Sequence, residues 1–379
     1  MGQITLTAKV QLILTDIQQA LLETTRGCYT DALNYVADYV YRTHIIREEQ
    51  LNKALYTEMR NRFKLKSQMT QSVFKKVLAD YKTIQSQGQG WIKPAYKRKQ
   101  LELVWDRDVA FYKGRLISVN TIAKRIKVPY IIKGNEHFFD DADCKLGTAK
   151  MLIKHGKYFL HVPVTFNIEE TVSKKDEMVV GVDRGLRFIV TTYDSGGKCG
   201  FESGRSVMQK RREYCRLRKR LQKKNTASSR KRLKKIGDKE HRWMSDVNHC
   251  ISKKLVGAYP PGTLFVQENL TGISETAVAN RKMRNALSSW AYYDLEQKIS
   301  YKAKLKGSSV IKVDPAYTSQ RCPMCGYTDR DNRDKKMHLF CCKRCSYRSN
   351  DDRIGAMNLC RLGIEQANAL VPGTVAGGV

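Results

Sequence analysis

Two C-x2-C pairs, Cys322-Pro-Met-Cys325 and Cys342-Lys-Arg-Cys345, are separated by the sixteen residues 326–341. Each pair offers two thiolates from one tight turn, and together they suit a closed tetrahedral site for one Zn2+ ion. Four thiolates leave no open position for a substrate, so the zinc they imply is structural, a zinc ribbon. Cys341 competes with Cys342 for a place, but only Cys342 keeps the two-residue spacing to Cys345. The other six cysteines (Cys28, Cys144, Cys199, Cys215, Cys250, Cys360) are scattered, which fits an intracellular protein with one metal site better than a disulfide framework. Arg321, Lys335, Lys336, Lys343, Arg344 and Arg348 decorate the knuckles and make nucleic-acid contact there plausible.

A second chemistry lies in three carboxylates. Asp183 closes the apolar segment MVVGVD (178–183), Glu268 closes LFVQE (264–268), and Asp352 opens a helical segment at 350–363. Singly, each has a plain explanation: a turn residue before Gly185, a partner for an arginine, an acid at a helix N-terminus. As a set they say more, because an acid ending an apolar strand is costly unless a cation or water compensates it. Acids from a first strand, a later strand and a C-terminal helix recur in the ribonuclease-H-like nuclease fold. There they hold two divalent metals about 4 Å apart, one activating the attacking water and one stabilising the leaving oxygen of a phosphodiester. Oxygen ligands favour Mg2+ or Mn2+. The sequence has no P-loop, G-x-S-x-G or H-E-x-x-H, and its seven histidines fall in no ligand pattern. Cys199 and Cys215 lie in basic surroundings without an evident His partner.

The elements that must position these groups are legible in outline. Residues 4–12, ITLTAKVQL, alternate with a period of two and read as a half-buried strand, with Ile4, Leu6, Ala8, Val10 and Leu12 on one face. Thr15-Asp16-Ile17-Gln18 has capping-box spacing. Helical intervals then run through Ile17, Leu21, Leu22, Tyr29, Ala32, Leu33 and Val36, through Leu51, Leu55 and Met59, and through Val73, Phe74, Val77, Leu78 and Tyr81. From 91 to about 170 the signals are those of hairpins, with turns at Lys113-Gly114 and His155-Gly156. The simplest arrangement is a β-barrel-like domain interrupted by a helical unit. After the strand ending at Asp183 come a second strand and a Gly-Gly turn at 196–197. Residues 205–235 then hold fifteen Lys or Arg and one acid, Glu213, and read as a long basic helix or helix pair. Like charges at helical spacing destabilise a helix unless an anion neutralises them. A helical segment at 284–305 carries Trp290, Leu295, Ile299 and Ala303, and SVIKVD (309–314) is a further strand. The tail from 366 is rich in small residues and reads as disordered.

Bulk charge points the same way. Lys plus Arg number 69 against 37 Asp plus Glu, a formal net charge of +32. Such a chain repels itself unless an anion neutralises it; nucleic acid is the usual polyanion, and an acidic membrane surface is the weaker alternative. No apolar run approaches the roughly 18 residues of a membrane helix, and no charged-then-apolar leader opens the chain, so neither secretion nor membrane insertion is expected.

At these residues the sequence resembles the TnpB family, RNA-guided DNA endonucleases of insertion sequences related to the compact type V CRISPR effectors. The resemblance is strongest over 178–363. It rests on GVDRG (181–185), VQENL (266–270), the run from Ile299 through TSQRCPMCG to 326, and FCCKRCSYRSNDDRIGAMNL (340–359), in that order. It implies an α+β multidomain protein. A wedge domain (1–14 and 89–172) would be interrupted by a helical recognition domain (15–88). A RuvC-type nuclease domain (173–317 and 350–365) would carry the zinc ribbon (318–349) as an insertion, followed by a tail (366–379). The implied catalytic, Mg2+-binding residues are Asp183, Glu268 and Asp352, and the implied zinc ligands are Cys322, Cys325, Cys342 and Cys345. Asp351 is the alternative third acid, since the family's usual Asp-Arg-Asp pattern reads Asn350-Asp351-Asp352 here; its usual Glu-Asp-Leu reads Glu268-Asn269-Leu270. The implied partners are an omega-type guide RNA and double-stranded target DNA with a short adjacent motif, bound by a monomer in a prokaryotic cytoplasm and on its nucleoid. Base pairing would read sequence while the protein reads backbone shape. The alternatives are a cleavage-deficient RNA-guided repressor, a strand-transfer transposase and a plain zinc-ribbon binder. Retention of all three acids argues against the first, and the last leaves those acids unexplained.

Overall fold

A computed structural model describes residues 2–132, 139, 143–168, 178–185, 187–269, 292–334 and 337–369. The expected helical residues 284–291 with Trp290, as well as Leu270, Lys335, Lys336 and the tail residues 370–379, lie outside the described residues. The chain divides into two compact units, residues 3–167 and residues 168–379 with the first two residues.

In the unit 3–167, strand β1 (Gly2–Leu12) is followed by helices α1 (Asp16–Thr43), α2 (Glu48–Phe63) and α3 (Ser67–Ser86). Thr15 caps α1 reciprocally: its Oγ1 accepts the Gln18 N–H at 3.3 Å and Gln18 Oε1 accepts the Thr15 N–H at 3.0 Å. Tyr29, Leu33, Val36 and Val40 bury the stripe of α1. Ile17, expected in that stripe, is instead 84% exposed. It stands five residues before the buried Leu22, about 140° round the helix from it.

Strands β2 (Glu102–Leu103), β3 (Val109–Tyr112), β4 (Leu116–Val119), β5 (Ile126–Ile132), β6 (Lys145–Leu146), β7 (Ala149–Lys154) and β8 (Lys157–Ile168) complete this unit. They join β1 in one sheet of order β2-β7-β8-β1-β5-β4-β3, with β6 beside β8. The two edge strands are consecutive in the chain, and a single bridge, Trp105 to Val109, spans the gap, so the sheet is nearly closed. The β7–β8 turn takes positive φ at both His155 (52°) and Gly156 (73°), the geometry that matches hairpin twist.

The second unit is built on a five-stranded sheet of β9 (Val179–Asp183), β10 (Phe188–Asp194), β11 (Cys199–Ser203), β12 (Leu264–Glu268) and β13 (Ser309–Val313) in the order β11-β10-β9-β12-β13. β9, β10 and β11 form an antiparallel meander, while β12 runs parallel to both β9 and β13. The crossover to β12 is the basic segment, helices α4 (Arg205–Lys224) and α5 (Ala227–Gly257). Helix α6 (Tyr292–Leu305) precedes β13, and helix α7 (Asp351–Ala369) ends the described chain. α7 runs four residues past 365, so 366–369, expected to be disordered, are helical.

Strand alternation divides this sheet into two cores. Val180, Val182 and Phe265 pack with Ile251, Leu255, Leu295 and Ile299 of α5 and α6. Val179, Leu264, Val266 and Val313 pack with Leu359 and Cys360 of α7 on the other face. A period of two therefore puts Asp183, with Val179, and Glu268, with Val266, on the α7 face. Strands β14 (Arg333–Asp334), β15 (Leu339–Cys341) and β16 (Arg348–Asn350) form a small antiparallel sheet that leads into α7.

Candidate active site

α7 reaches the sheet because glycines remove what would hold it off. A Cβ at Gly181 of β9 would lie 2.0 Å from the Ala356 carbonyl oxygen and 2.5 Å from the Cys360 nitrogen. A Cβ at Gly363 would meet Val266 at 2.3 Å, and one at Gly355 would stand 3.0 Å from Asp183 Oδ2. Helix backbone thus lies directly on strand backbone, with the Asp183 carboxylate against the first turns of α7.

The last paired register between β12 and β9 is Gln267 with Val182. One residue further, Glu268 and Asp183 end neighbouring parallel strands on the same face. Asp352 supplies the third carboxylate from the first turn of α7; its Oδ1 lies 3.8 Å from where a Gly185 Cβ would be. Asn350 caps that turn, its Oδ1 accepting the Asp352 and Arg353 N–H groups at 3.1 and 3.2 Å.

Burial pushes the Asp183 carboxyl well above its ordinary range, and the Glu268 and Asp352 charges push it further, against the opposing pull of Arg333. Glu268 is raised by burial, offset by a hydrogen bond from Thr318 and by Arg184 and Arg333. Asp352 is raised by burial and then by Asp351. Three mutually repelling acids, two ending neighbouring strands and one in the first turn of α7, are an all-oxygen donor set of the kind that suits hard divalent cations.

The neighbouring Asp351 has a different environment. It is buried against Arg333, whose Nε donates to its Oδ2 at 2.9 Å, and His338 Nδ1 stands 3.4 Å from its other oxygen. Asp352 receives no side-chain hydrogen bond from any described residue. His338, Asp351 and Asp352 bring ligand atoms within 4.8 Å of one another, but Arg333 already balances Asp351. Asp183, Glu268 and Asp352 form a wider set than that.

Three supporting residues have no sequence motif that announces them. Arg184, fully buried, donates to Glu296 Oε2 at 2.9 Å and to the Glu268 carbonyl at 2.7 Å. Lys312 of β13 also pairs with Glu296. Thr318 Oγ1 donates to Glu268 Oε1 at 2.5 Å. Arg333 also donates to Ser319 Oγ at 3.0 Å. The one sequence signal for Arg184 is a cation directly following a strand-end acid.

The four cysteines of the two knuckles converge. Cys322 and Cys345 sulfurs lie 3.6 Å apart, Cys325 and Cys342 sulfurs 3.5 Å apart, and all four fall within 4.8 Å. These separations are too long for disulfides and approach the edge of about 3.8 Å of a tetrahedron with Zn–S bonds of about 2.3 Å. The knuckles share one backbone pattern. The Cys322 N–H donates to the Tyr327 carbonyl and the Cys342 N–H to the Tyr347 carbonyl, both at 2.9 Å. Burial works against a Cys342 thiolate, but the amides of Cys345 and Arg344 together with the Cys325 and Cys345 thiols outweigh it and bring the thiol down to about 6. Cys341 lies in β15 and is not one of the four.

Residues 292–359 match the family model described as "Cas12f1-like, TNB domain", and residues 161–262 match one described as "Probable transposase". The chain is 34% identical over 233 residues to the CRISPR-associated endodeoxyribonuclease Cas12f1 of Syntrophomonas palmitatica, covering 58% of this chain and 46% of that protein. It is 27% identical to a TnpB-like protein of Methanocaldococcus jannaschii, over 51% of this chain and 77% of the relative. The match to the Cas12f1 relative thus spans about half of that protein's length. The fold is that of the Cas12f1 chain in a cryo-EM structure of a Cas12f1–sgRNA–target DNA complex, with a TM-score of 0.68 at 14% identity over 92% of this chain and 83% of that one. Over these stretches the chain is similar both to TnpB-like proteins and to Cas12f1.

Proposed function

We propose that this protein is an RNA-guided DNA endonuclease of RuvC type. Asp183, Glu268 and Asp352 would hold divalent cations, Mg2+ or Mn2+, and Cys322, Cys325, Cys342 and Cys345 one structural Zn2+. The observation that carries the reading is the meeting of three acids, far apart in the chain, where β9, β12 and α7 converge, each raised by burial. The Cas12f1 and TnpB-like relatives support it. The proposed domains are a wedge at 1–14 and 89–172, a recognition domain at 15–88, the nuclease at 173–317 and 350–365, and the ribbon at 318–349. The proposed partners are an omega-type guide RNA and target DNA with a short adjacent motif, bound by a monomer in a prokaryotic cytoplasm.

Divalent cations at this site would supply an activated water and charge stabilisation at the leaving oxygen of a phosphodiester. The chain's own residues fix the ligand set. Arg184 anchors the Glu268 carbonyl, Thr318 holds one Glu268 oxygen, and the capped first turn of α7 presents Asp352 where helix amides favour an anion. Arg333 tempers the mutual repulsion of the carboxylates. The basic faces of α4 and α5 would neutralise nucleic-acid phosphates, with affinity falling steeply as salt rises.

The test is plasmid cleavage by the full chain with its co-purifying RNA and Mg2+. Asp183→Ala should abolish cutting and leave RNA and target binding nearly intact. Binding without any cutting by the wild-type chain would instead select the repressor reading. Joined transposon–target products would select strand transfer.

A further inference from the structure

The sheet row that carries Asp183 holds a further polar side chain. Thr191 of β10 is the antiparallel partner of Asp183 in β9, and Phe201 of β11 is the partner of Thr191 on its other side. Residues directly opposite on antiparallel strands share a face, so Thr191 stands beside Asp183 under α7. It is 0% exposed, and its Oγ1 has no hydrogen-bond partner among the described residues. A buried hydroxyl left unmet is costly, and a valine of nearly the same shape would avoid that cost. Packing alone therefore gives no reason for a threonine here.

Asp183 lacks what Thr191 can give. Its carboxylate receives the Arg184 amide and, among the described residues, no side-chain donor. On the α7 side it faces Gly355, where a Cβ would stand 3.0 Å from Oδ2, so the helix brings no side chain to hold it. Glu268 differs, since it accepts from Thr318 Oγ1 at 2.5 Å. Of the two cross-strand neighbours of Thr191, Phe201 has no side-chain acceptor and Asp183 has two. Cβ atoms of such pairs lie about 4.5–5.5 Å apart, and the terminal torsion of an aspartate is soft, so a turn of the carboxylate brings an oxygen to the hydroxyl. An ion supplies the reason to turn. It draws one oxygen of a ligating carboxylate to itself, and the other, buried and charged, then needs a donor.

We propose that Thr191 is a positioning residue of the cation site: when Asp183 holds a divalent ion, the Thr191 hydroxyl donates to the Asp183 oxygen turned away from that ion. It touches neither substrate nor ion and acts only through Asp183. The inference rests on the reading of Asp183 as a cation ligand. The hydroxyl thus destabilises the ion-free chain and stabilises the loaded one.

The test uses the full chain with zinc in its ribbon and Mn2+ as the probe, with free Mn2+ counted by its EPR signal. Thr191→Val should weaken Mn2+ binding about tenfold, the low end for losing a hydrogen bond to a ligating group. Thr191→Ser should bind more tightly than Thr191→Val. In calorimetry without Mn2+, Thr191→Val should melt no lower than the wild type, while added Mn2+ should raise its Tm by less. A merely structural role would lower Tm with and without the ion alike, and that result overturns the inference. So does unchanged Mn2+ affinity in Thr191→Val, or equal weakening by Val and Ser. Asp183→Ala separates the two readings, because it should lose Mn2+ binding. If it binds as the wild type does, the cation reading of Asp183 fails; if it loses binding while Thr191→Val does not, only the role of Thr191 fails.

Discussion

Gly181 offers the sharpest perturbation. Replacing it by Ala puts a methyl group 2.0 Å from the Ala356 oxygen and 2.5 Å from the Cys360 nitrogen, where 3.0 Å is the closest a real Cβ comes. α7 must therefore retreat from β9 by about 1 Å or more to restore a 3.0 Å contact. Both atoms struck are backbone, so no side chain can swing aside to absorb the contact. Overpacking of this kind costs about 1–3 kcal/mol, and rigid neighbours put the cost at about 2–3 kcal/mol. For a unit of this size that lowers Tm by about 4–12 °C, read by scanning calorimetry. The same retreat draws Asp352 away from Asp183, and a misplacement of about 1 Å at a reacting centre lowers cleavage about 100-fold. Gly237→Ala is the matched control: it lies within α5 with nothing within 4 Å of its Cβ position. It should leave cleavage unchanged and raise stability by up to about 1 kcal/mol. A Gly181→Ala chain with unaltered Tm and cutting would refute the packing argument.

Arg184→Met should destabilise by about 3 kcal/mol in urea titrations, the low end for breaking a buried ion pair, because Lys312 still balances Glu296. Adding Glu296→Leu should recover part of that loss, and failure to do so would place the effect on the Glu268 carbonyl instead. Cys342→Ser should lower bound zinc, measured by metal analysis, and loosen 322–350 to protease while leaving the unit 3–167 intact. His161 of β8 gives a pH effect. Burial, then Lys9, lowers its imidazole below the ordinary 6.5, so the unfolded chain binds the proton more readily. Stability is then lost as pH falls through 6.5, and His161→Gln should flatten the acid side of a Tm-against-pH curve.

What the chain announces by itself is what depends on near neighbours. The knuckles are legible because two thiolates on one turn need a fixed two-residue spacing. The capped start of α1 and the strand 4–12 are legible because capping boxes and strand faces have short periods. The same period sets Asp183 on the Val179 face and Glu268 on the Val266 face before any partner strand is known. Ile17 shows the limit: an apolar residue near a helical stripe need not be on it.

Only the tertiary structure decided which strands lie side by side, for parallel pairing of β9 with β12 joins residues some eighty apart and leaves no local trace. It alone separated Asp351, locked to Arg333, from Asp352, and brought Arg184 and Thr318 to Glu268. It also gave the glycines their meaning. Gly181, Gly355 and Gly363 are ordinary small residues in the sequence, and become the reason a helix can rest on a strand only once that helix is known to lie there. Close packing depends on which surfaces meet, and that is set by the whole fold rather than by any segment of it.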